Sequence, residues 1–249
     1  MSVKNAVYIE EENLSRAWTK ICLELVSEGV KEIVPLCVTI HVPGNCSEIE
    51  DSKLRTLLDS DLRSKNLSSC ETISNTIFPI SMWNPKLHRS ALFKRYVAAL
   101  PYLKKCPQNT NGIYFERLIS YQGGNHNQLD KMITTRVNKG NKRRSALQVS
   151  IVEPQKDQTD QRMRGFPCLQ QVSFAPFGNN EMAVNGFYGN QHIYEKAYGN
   201  YLGLYHLGLF IAHELELRLT QVNCFSGIAQ LGIAKSKVAD LTRKLKKSL

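Results

Sequence analysis

The stretch Gly199–Leu217, GNYLGLYHLGLFIAHELEL, decides the fold class. Wound as a helix, it spreads Tyr201, Leu202, Leu204, Tyr205, Leu209, Phe210 and Ile211 around most of its circumference. A surface helix keeps a polar face, so a helix apolar on nearly all sides belongs in the middle of its domain. The rest of the chain supplies the layers to bury it. Leu147, Val149 and Ile151 alternate as a strand, Cys168–Phe174 reads as a second and Met182–Tyr188 as a third. Upstream, Glu32–Val42 is rich in Val and Ile and stops at Pro43-Gly44, as a strand closed by a turn. Three- and four-residue spacing of apolar side chains predicts helices over Asn13–Val30, Leu87–Leu103, Asn127–Lys139 and Ala234–Leu245, with Gly29 stopping the first. The polar stretch Asn45–Asn75 supports at most a short helix around Leu54–Leu62. The expected architecture is α+β: a mixed β-sheet with flanking helices and a central buried helix. No internal repeat and no Gly/Ser linker interrupts it, so residues 1–249 read as a single domain.

Composition sets outer bounds. With 249 residues, 42% hydrophobic, 8% aromatic and 22% charged, the chain can build a sizeable core and does not fit collagen-like, low-complexity or wholly disordered classes. The net charge of +10, from 32 Lys and Arg against 22 Asp and Glu, points to an anionic partner without choosing among nucleotide, nucleic acid and membrane surface. Glu10, Glu11 and Glu12 stand where a secretory signal needs an apolar run, and no segment approaches the roughly 20 apolar residues of a membrane span. A cytoplasmic protein with no membrane partner is expected. Seven scattered cysteines without a C-x-x-C pair fit neither a disulfide framework nor a zinc site. His213-Glu214-Leu215-Glu216-Leu217 offers one His where a zinc-protease helix needs two, so no metal is expected. The terminal cations Arg243, Lys244, Lys246 and Lys247 complement the negative end of a helix dipole, which makes nucleic acid possible but not favoured.

Two places could carry chemistry. Lys139, Lys142, Arg143 and Arg144 cluster just before a predicted strand. Adjacent arginines in extended backbone point to opposite faces, so at least one can meet a phosphate or carboxylate; the plain alternative is a solvated turn. Further on, Arg162-Met163-Arg164-Gly165-Phe166-Pro167-Cys168 sets a thiol at a strand entrance with cations nearby. Such surroundings lower a thiol pKa and favour a nucleophile, whereas a buried structural cysteine would be inert. Tyr188, Tyr194, Tyr198, Tyr201 and Tyr205 could stack bases, but on the buried-helix reading most belong to the core.

These features resemble, in order and spacing, the thymidylate synthase and pyrimidine nucleotide hydroxymethylase family. Gln128-Leu129-Asp130-Lys131-Met132-Ile133 is similar to the helix before the family's double arginine, and Arg143-Arg144-Ser145-Ala146-Leu147-Gln148-Val149-Ser150 with Glu153-Pro154 to the double-arginine strand. Pro167-Cys168 resembles the nucleophile pair, and Tyr198-Gly199-Asn200-Tyr201-Leu202-Gly203-Leu204 the segment in which an Asn opens the buried helix. The resemblance covers about residues 112–232 and implies a thymidylate synthase-like fold. It also implies catalytic roles for Cys168 as nucleophile and Tyr114 as the family's active-site Tyr. A pyrimidine nucleotide would be bound by Asn200, Arg143, Arg144, Gln171 and His192. Asn200 would read the base, since an amide can accept from N3–H and donate to O4 of uracil. The arginines would reach across a homodimer to the partner's nucleotide phosphate. A reduced folate, 5,10-methylenetetrahydrofolate, is the implied one-carbon donor.

The chain also departs from the pattern. Gly189, Asn190 and His192 stand where the family has an Arg-Ser pair and an Asp, Leu169 follows the nucleophile, and Gln230 and Gly232 replace a His-x-Tyr pair. Losing one charge-assisted phosphate bond costs on the order of 1.5–3 kcal/mol. Three functions therefore stand at this point: a divergent enzyme placing a methyl or hydroxymethyl unit on C5, a non-catalytic nucleotide-binding or regulatory protein on the same fold, and a basic nucleic-acid binder.

Overall fold

The structure, a computed structural model, describes residues 2–27, 29–44, 49–106, 109, 113–124, 126–138, 140, 143–158, 160 and 166–247. Strands β1 (Ser2–Lys4) and β2 (Val7–Glu11) lead into helix α1 (Leu14–Val26), whose first backbone N–H groups are capped by the Asn13 side chain. The predicted strand at Glu32–Val42 is two strands, β3 (Val30–Ile33) and β4 (Leu36–His41), joined through a cis Val34–Pro35 bond. The polar stretch after them holds more helix than its composition implied. Helix α2 (Ser52–Ser64) is capped by Asp51 and α3 (Cys70–Ile77) by Ser69. Each buries a narrow stripe, Leu54, Leu58 and Leu62 in α2 and Cys70, Ile73 and Ile77 in α3, too thin for periodicity to reveal the second helix.

Helices α4 (Ser90–Leu103), α5 (Tyr114–Ile119) and α6 (Gln128–Val137) follow, then β5 (Gln148–Ser150), the short α7 (Pro154–Asp157), β6 (Leu169–Phe177) and β7 (Glu181–His192). A π-helical segment, Ile193–Ala197, turns the chain into α8 (Tyr198–Glu214), which returns through β8 (Arg218–Gln230) to a terminal α9 (Ala239–Leu245). The predicted last helix is thus shorter, because Lys235–Val238 is a 3₁₀ turn. Arg144–Ala146 is likewise a 3₁₀ turn, so Arg143 is extended but Arg144 is not, and the expectation of two arginines on opposite faces of an extended strand fails.

One open mixed sheet organises these elements, in the order β1-β3-β8-β7-β6-β5, with β4 also on β8 and β2 outside β4. The long β8 is the pivot. It runs antiparallel to β3 and β4 and parallel to β7, and β7, β6 and β5 continue antiparallel. Side chains alternate across it. Val38, Val184, Val222 and Cys224 are buried on the helix side, whereas Cys37, Asn185, Phe187, Asn223 and Phe225 occupy the other face, half-buried or exposed.

Helix α8 is buried almost throughout, as its sequence requires, and Tyr188, Tyr194, Tyr198, Tyr201 and Tyr205 are all core residues at 4% exposure or less. It fits because its glycines admit its neighbours. A Cβ on Gly199 would lie 2.6 Å from the Cys70 carbonyl oxygen, and one on Gly203 would lie 2.9 Å from that of Ser74, so α3 packs backbone to backbone on α8. On the sheet side, a Cβ on Gly208 would meet Leu219 and Val184 at 2.9–3.0 Å. Trp18 donates its indole N–H to the Ile193 carbonyl at 2.8 Å, and Ser15 bonds Tyr198 at 2.7 Å, which pins α1 to the entrance of α8. His206 faces Ser74 at 3.2 Å, and burial with nearby Arg55 lowers its pKa to about 4. Among the described residues no helix is long and apolar enough to cross a membrane. Cys22, Cys37, Cys70, Cys168 and Cys224 are free thiols, and Cys46 lies outside the described residues.

Gly199→Ala tests the close approach. Helix propensity would gain about 1 kcal/mol, but separating two backbones costs about 1–3 kcal/mol. The separation of backbone from backbone puts the cost toward the upper end, so a net loss approaching about 2 kcal/mol is expected in urea unfolding, with Gly124→Ala, which meets only one atom at 3.6 Å, near neutral. Equal stability of Gly199→Ala and the parent would remove the constraint.

Candidate functional site

The carboxyl end of β7, the start of β6 and the entrance of α8 open on one cavity of about 240 Å³. Cys168 reaches it from the residue before β6, Tyr114 from the first turn of α5, His192 from the end of β7 and Asn200 from the first turn of α8. Four of the seven residues singled out in the sequence therefore meet. Ile73 and Thr76 of α3 form a further wall, a consequence of the glycine contacts that draw α3 onto α8.

The thiol of Cys168 belongs to an exposed residue at the mouth of the cavity. Desolvation by its neighbours nonetheless raises its pKa above the ordinary thiol value, and the opposing pull of Lys196 is smaller. The cation-lowered thiol expected from the sequence is thus not found; Arg162 and Arg164, on which that expectation rested, lie outside the described residues. Tyr114 is pushed up to about 12 by burial first and then by the nearby Cys168 thiol, with the backbone N–H groups of Leu169 and Cys168 pulling the other way. The phenol oxygen thus lies near the peptide that carries the thiol.

Asn200 is 5% exposed and lines the cavity. The side-chain oxygen of Asn190, another lining residue, is buried and has no hydrogen-bond partner. Leaving a buried polar group unpaired costs about 1–3 kcal/mol, so that oxygen marks a place suited to a donor brought by a ligand. Gln191 differs. Its oxygen accepts from Tyr201 at 3.2 Å and Ser226 at 2.9 Å, so it supports the wall. His192 bonds Glu195 at 3.3 Å, a contact that lowers the Glu195 carboxyl.

The remaining sequence candidates lie elsewhere. Arg143 lines a second cleft of about 210 Å³ with His126, Lys131 and Arg136. Arg144 is exposed and reaches the Pro176 carbonyl at 3.4 Å. Gln171 sits on the outward face of the sheet, bonded to Gln148 across the β5–β6 ladder. None of the three lines the cavity of its own chain. Lys196, Thr76, Asn109 and Asn190 do, and none was singled out as a site residue. Lys196 had a signal, standing four residues before Asn200 and so on the same side of a helical turn. Among the described residues no group of three or more His, Cys, Asp and Glu could hold a metal.

A buried ion pair holds the Tyr114 side of the cavity. Arg117 of α5 donates to Asp157 at 2.6 and 2.8 Å and to the Ile151 carbonyl at 3.0 Å, and Asp157 also accepts from the Glu153 N–H at 2.8 Å. Burial would raise the Asp157 carboxyl, but the hydrogen bond from Arg117 and the one from Glu153 outweigh it and hold the carboxyl below its usual range. Gln128 completes the clamp, bonding the Arg117 carbonyl at 3.0 Å and both the carbonyl and N–H of Ser150 at 2.8 and 3.0 Å.

No protein-family model matches the chain, and no curated protein matches it.

Asp157→Ala would leave the Arg117 guanidinium buried and uncompensated, with an expected loss of about 3–5 kcal/mol in denaturant unfolding. Since the folded carboxyl titrates below its unfolded value, the stabilisation is complete above the ordinary carboxylate range and is lost as pH falls. A loss under about 1 kcal/mol, the value of an exposed pair, would show that the clamp is not needed.

Proposed function

We propose that this chain is a divergent thymidylate synthase-like protein that binds a pyrimidine nucleotide and activates the C5 carbon of its ring through Cys168. The observation that carries the reading is the meeting of Cys168, Tyr114, His192 and Asn200, from four separate segments, at one cavity. The mixed sheet around a buried helix supports it.

The chemistry follows from the ring. C5 of uracil is a poor nucleophile until a thiolate adds at C6. The Sγ–C6 bond then forms as the C5–C6 π pair moves toward O4, which leaves an enolate with a nucleophilic C5. A proton from water can join C5 and the original C5 hydrogen can leave to solvent; expulsion of the thiolate restores the ring. Asn200 is suited to the base, since an amide lining the cavity can accept from N3–H and donate to O4. Tyr114 lines the cavity beside that thiol.

Reduced folate is the one-carbon donor that the resemblance implies. Among the described lining residues none carries a carboxylate for the donor-rich edge of a pterin, and Tyr114 is the only large aromatic ring. These residues do not fit a folate, and the chemistry proposed here stops at ring activation.

A homodimer belongs to the same reading, because Arg143 and Arg144 would serve the nucleotide phosphate of a partner. The outward sheet face is suited to it. Tyr8, Cys37, Phe225, Phe187 and Gln171 lie in register across five strands, with Tyr8, Phe225 and Phe187 exposed by 59%, 42% and 38%. Beside them, Asn223 donates to Asn185 at 2.9 Å and Asn185 to Ser173 at 3.1 Å. An apolar row beside a polar ladder, in which the Asn223 side-chain oxygen is left without a partner, suits self-association. A second reading, a non-catalytic nucleotide-binding protein, draws on the raised thiol pKa of Cys168, which disfavours the thiolate.

Tritium release from 5-tritiated deoxyuridylate separates these readings. The enzyme reading expects release without added donor and its loss in Cys168→Ser. The binding reading expects thermal stabilisation by a pyrimidine nucleotide, unchanged by that substitution, and no release. No stabilisation by any pyrimidine mono-, di- or triphosphate would end both.

For the dimer, analytical ultracentrifugation of the parent should give twice the chain mass and Phe225→Glu a single chain. A parent monomeric at tens of micromolar would refute the pairing.

A further inference from the structure

Lys196 is set apart by what it lacks. Among the described residues Arg55, Lys65, Arg89 and Arg117, all partly or fully buried, are each tied to a carboxylate at 2.6–2.7 Å, and half-buried Lys235 donates to the Ser27 carbonyl at 2.6 Å. Lys196, half-buried in the π-helical segment, makes no hydrogen bond or ion pair among them. Its neighbour Glu195 turns instead to His192 at 3.3 Å. Holding an ammonium out of water without a counterion is costly. Lys196 lines the cavity beside Cys168, and Asn200 lines it four residues further on. The cavity thus combines Lys196, whose charge is felt by Glu195 but which closes no ion pair with it, with the buried, unpartnered side-chain oxygen of Asn190 and with Asn200, 5% exposed. No Asp or Glu is among its described lining residues.

We propose that Lys196 is the anion-recognition residue of this cavity: it selects an occupant that carries an oxyanion and holds it, together with Asn200, beside the Cys168 thiol. The inference rests on the proposed function only for the identity of that occupant, a pyrimidine nucleotide presenting its phosphate. The preference for negative charge follows from the lining itself. It also supplies, within one subunit, a cation that Gly189 cannot provide.

Iodoacetate and iodoacetamide test the charge preference. Both place the same CH₂–I carbon before the thiolate, which displaces iodide in each case, and they differ in the charge of the reagent. The ratio of their rate constants at Cys168, read by mass spectrometry of its peptide, cancels the thiolate fraction. Against the same ratio for 2-mercaptoethanol, Cys168 is expected to favour iodoacetate by about tenfold, the worth of one charge-assisted contact. Lys196→Gln should bring the ratio to that of the free thiol, and Lys196→Arg should preserve most of it. A parent ratio equal to the free thiol, a ratio unchanged in Lys196→Gln, or failure of both reagents to modify Cys168 overturns the assignment.

Protection of Cys168 from alkylation then identifies the oxyanion. Deoxyuridylate protecting where deoxyuridine does not, with the difference lost in Lys196→Gln, assigns it to a phosphate. Protection by 4-aminobenzoylglutamate assigns it to a carboxylate. Iodoacetate preference without protection by any nucleotide sustains the role of Lys196 and ends the nucleotide reading; nucleotide protection without charge preference does the reverse.

Discussion

Helix α8 has no face that can be left in water, and the rest of the molecule is arranged to cover it. The sheet takes one side, α3 another, and α1 closes its entrance through Trp18 and Ser15. Burial of each large side chain contributes about 1.5–3 kcal/mol, so exposing this helix would cost more than the marginal stability of a domain. Its glycines set how near the cover can come. Because Gly199 and Gly203 let α3 approach backbone to backbone, Ile73 and Thr76 stand across the cavity from Cys168. The packing rule that buries the helix also shapes the site.

The cavity is electrostatically sparse. Its described lining is mostly neutral: amides, hydroxyls, a thiol and short apolar chains, with Lys196 as the permanent cation and His192 engaged by Glu195. Desolvation dominates the thiol, whose pKa is raised despite that cation. A ligand bringing a negative charge would be drawn to Lys196, yet its charge would also oppose ionisation of Cys168. Recognition and thiol reactivity therefore pull against one another here, and the raised pKa leaves a purely binding role in competition with catalysis.

Clamping is concentrated behind the site. The Arg117–Asp157 pair and the Gln128 amide tie α5 to β5 and α7, and Tyr114 at the head of α5 lines the cavity beside Cys168. The opposite sheet face has no such investment. Its aromatic row and asparagine ladder are ordered but uncovered in a single chain, and this is why a second copy enters the proposed function.

Hydropathy alone determined that the segment opening at Gly199 would be a buried helix, which ends at Glu214 rather than at Leu217. The family resemblance singled out Tyr114, Cys168, His192 and Asn200, which line one cavity, together with Arg143, Arg144 and Gln171, which do not. Helix α3 was not legible, since Cys70, Ile73 and Ile77 make too thin a stripe, and β8 mixes Gln, Asn, Ser and Gly among its apolar residues. The double arginine on opposite faces of an extended strand and the cation-lowered thiol were expected and did not follow, because a turn takes Arg144 and the burial of neighbours sets the thiol. Lys196 reads in the sequence as one more cation in a basic chain. Only the tertiary structure decided that it closes no ion pair while Arg55, Lys65, Arg89 and Arg117 do, for pairing and desolvation depend on which distant segments are brought within a few ångströms.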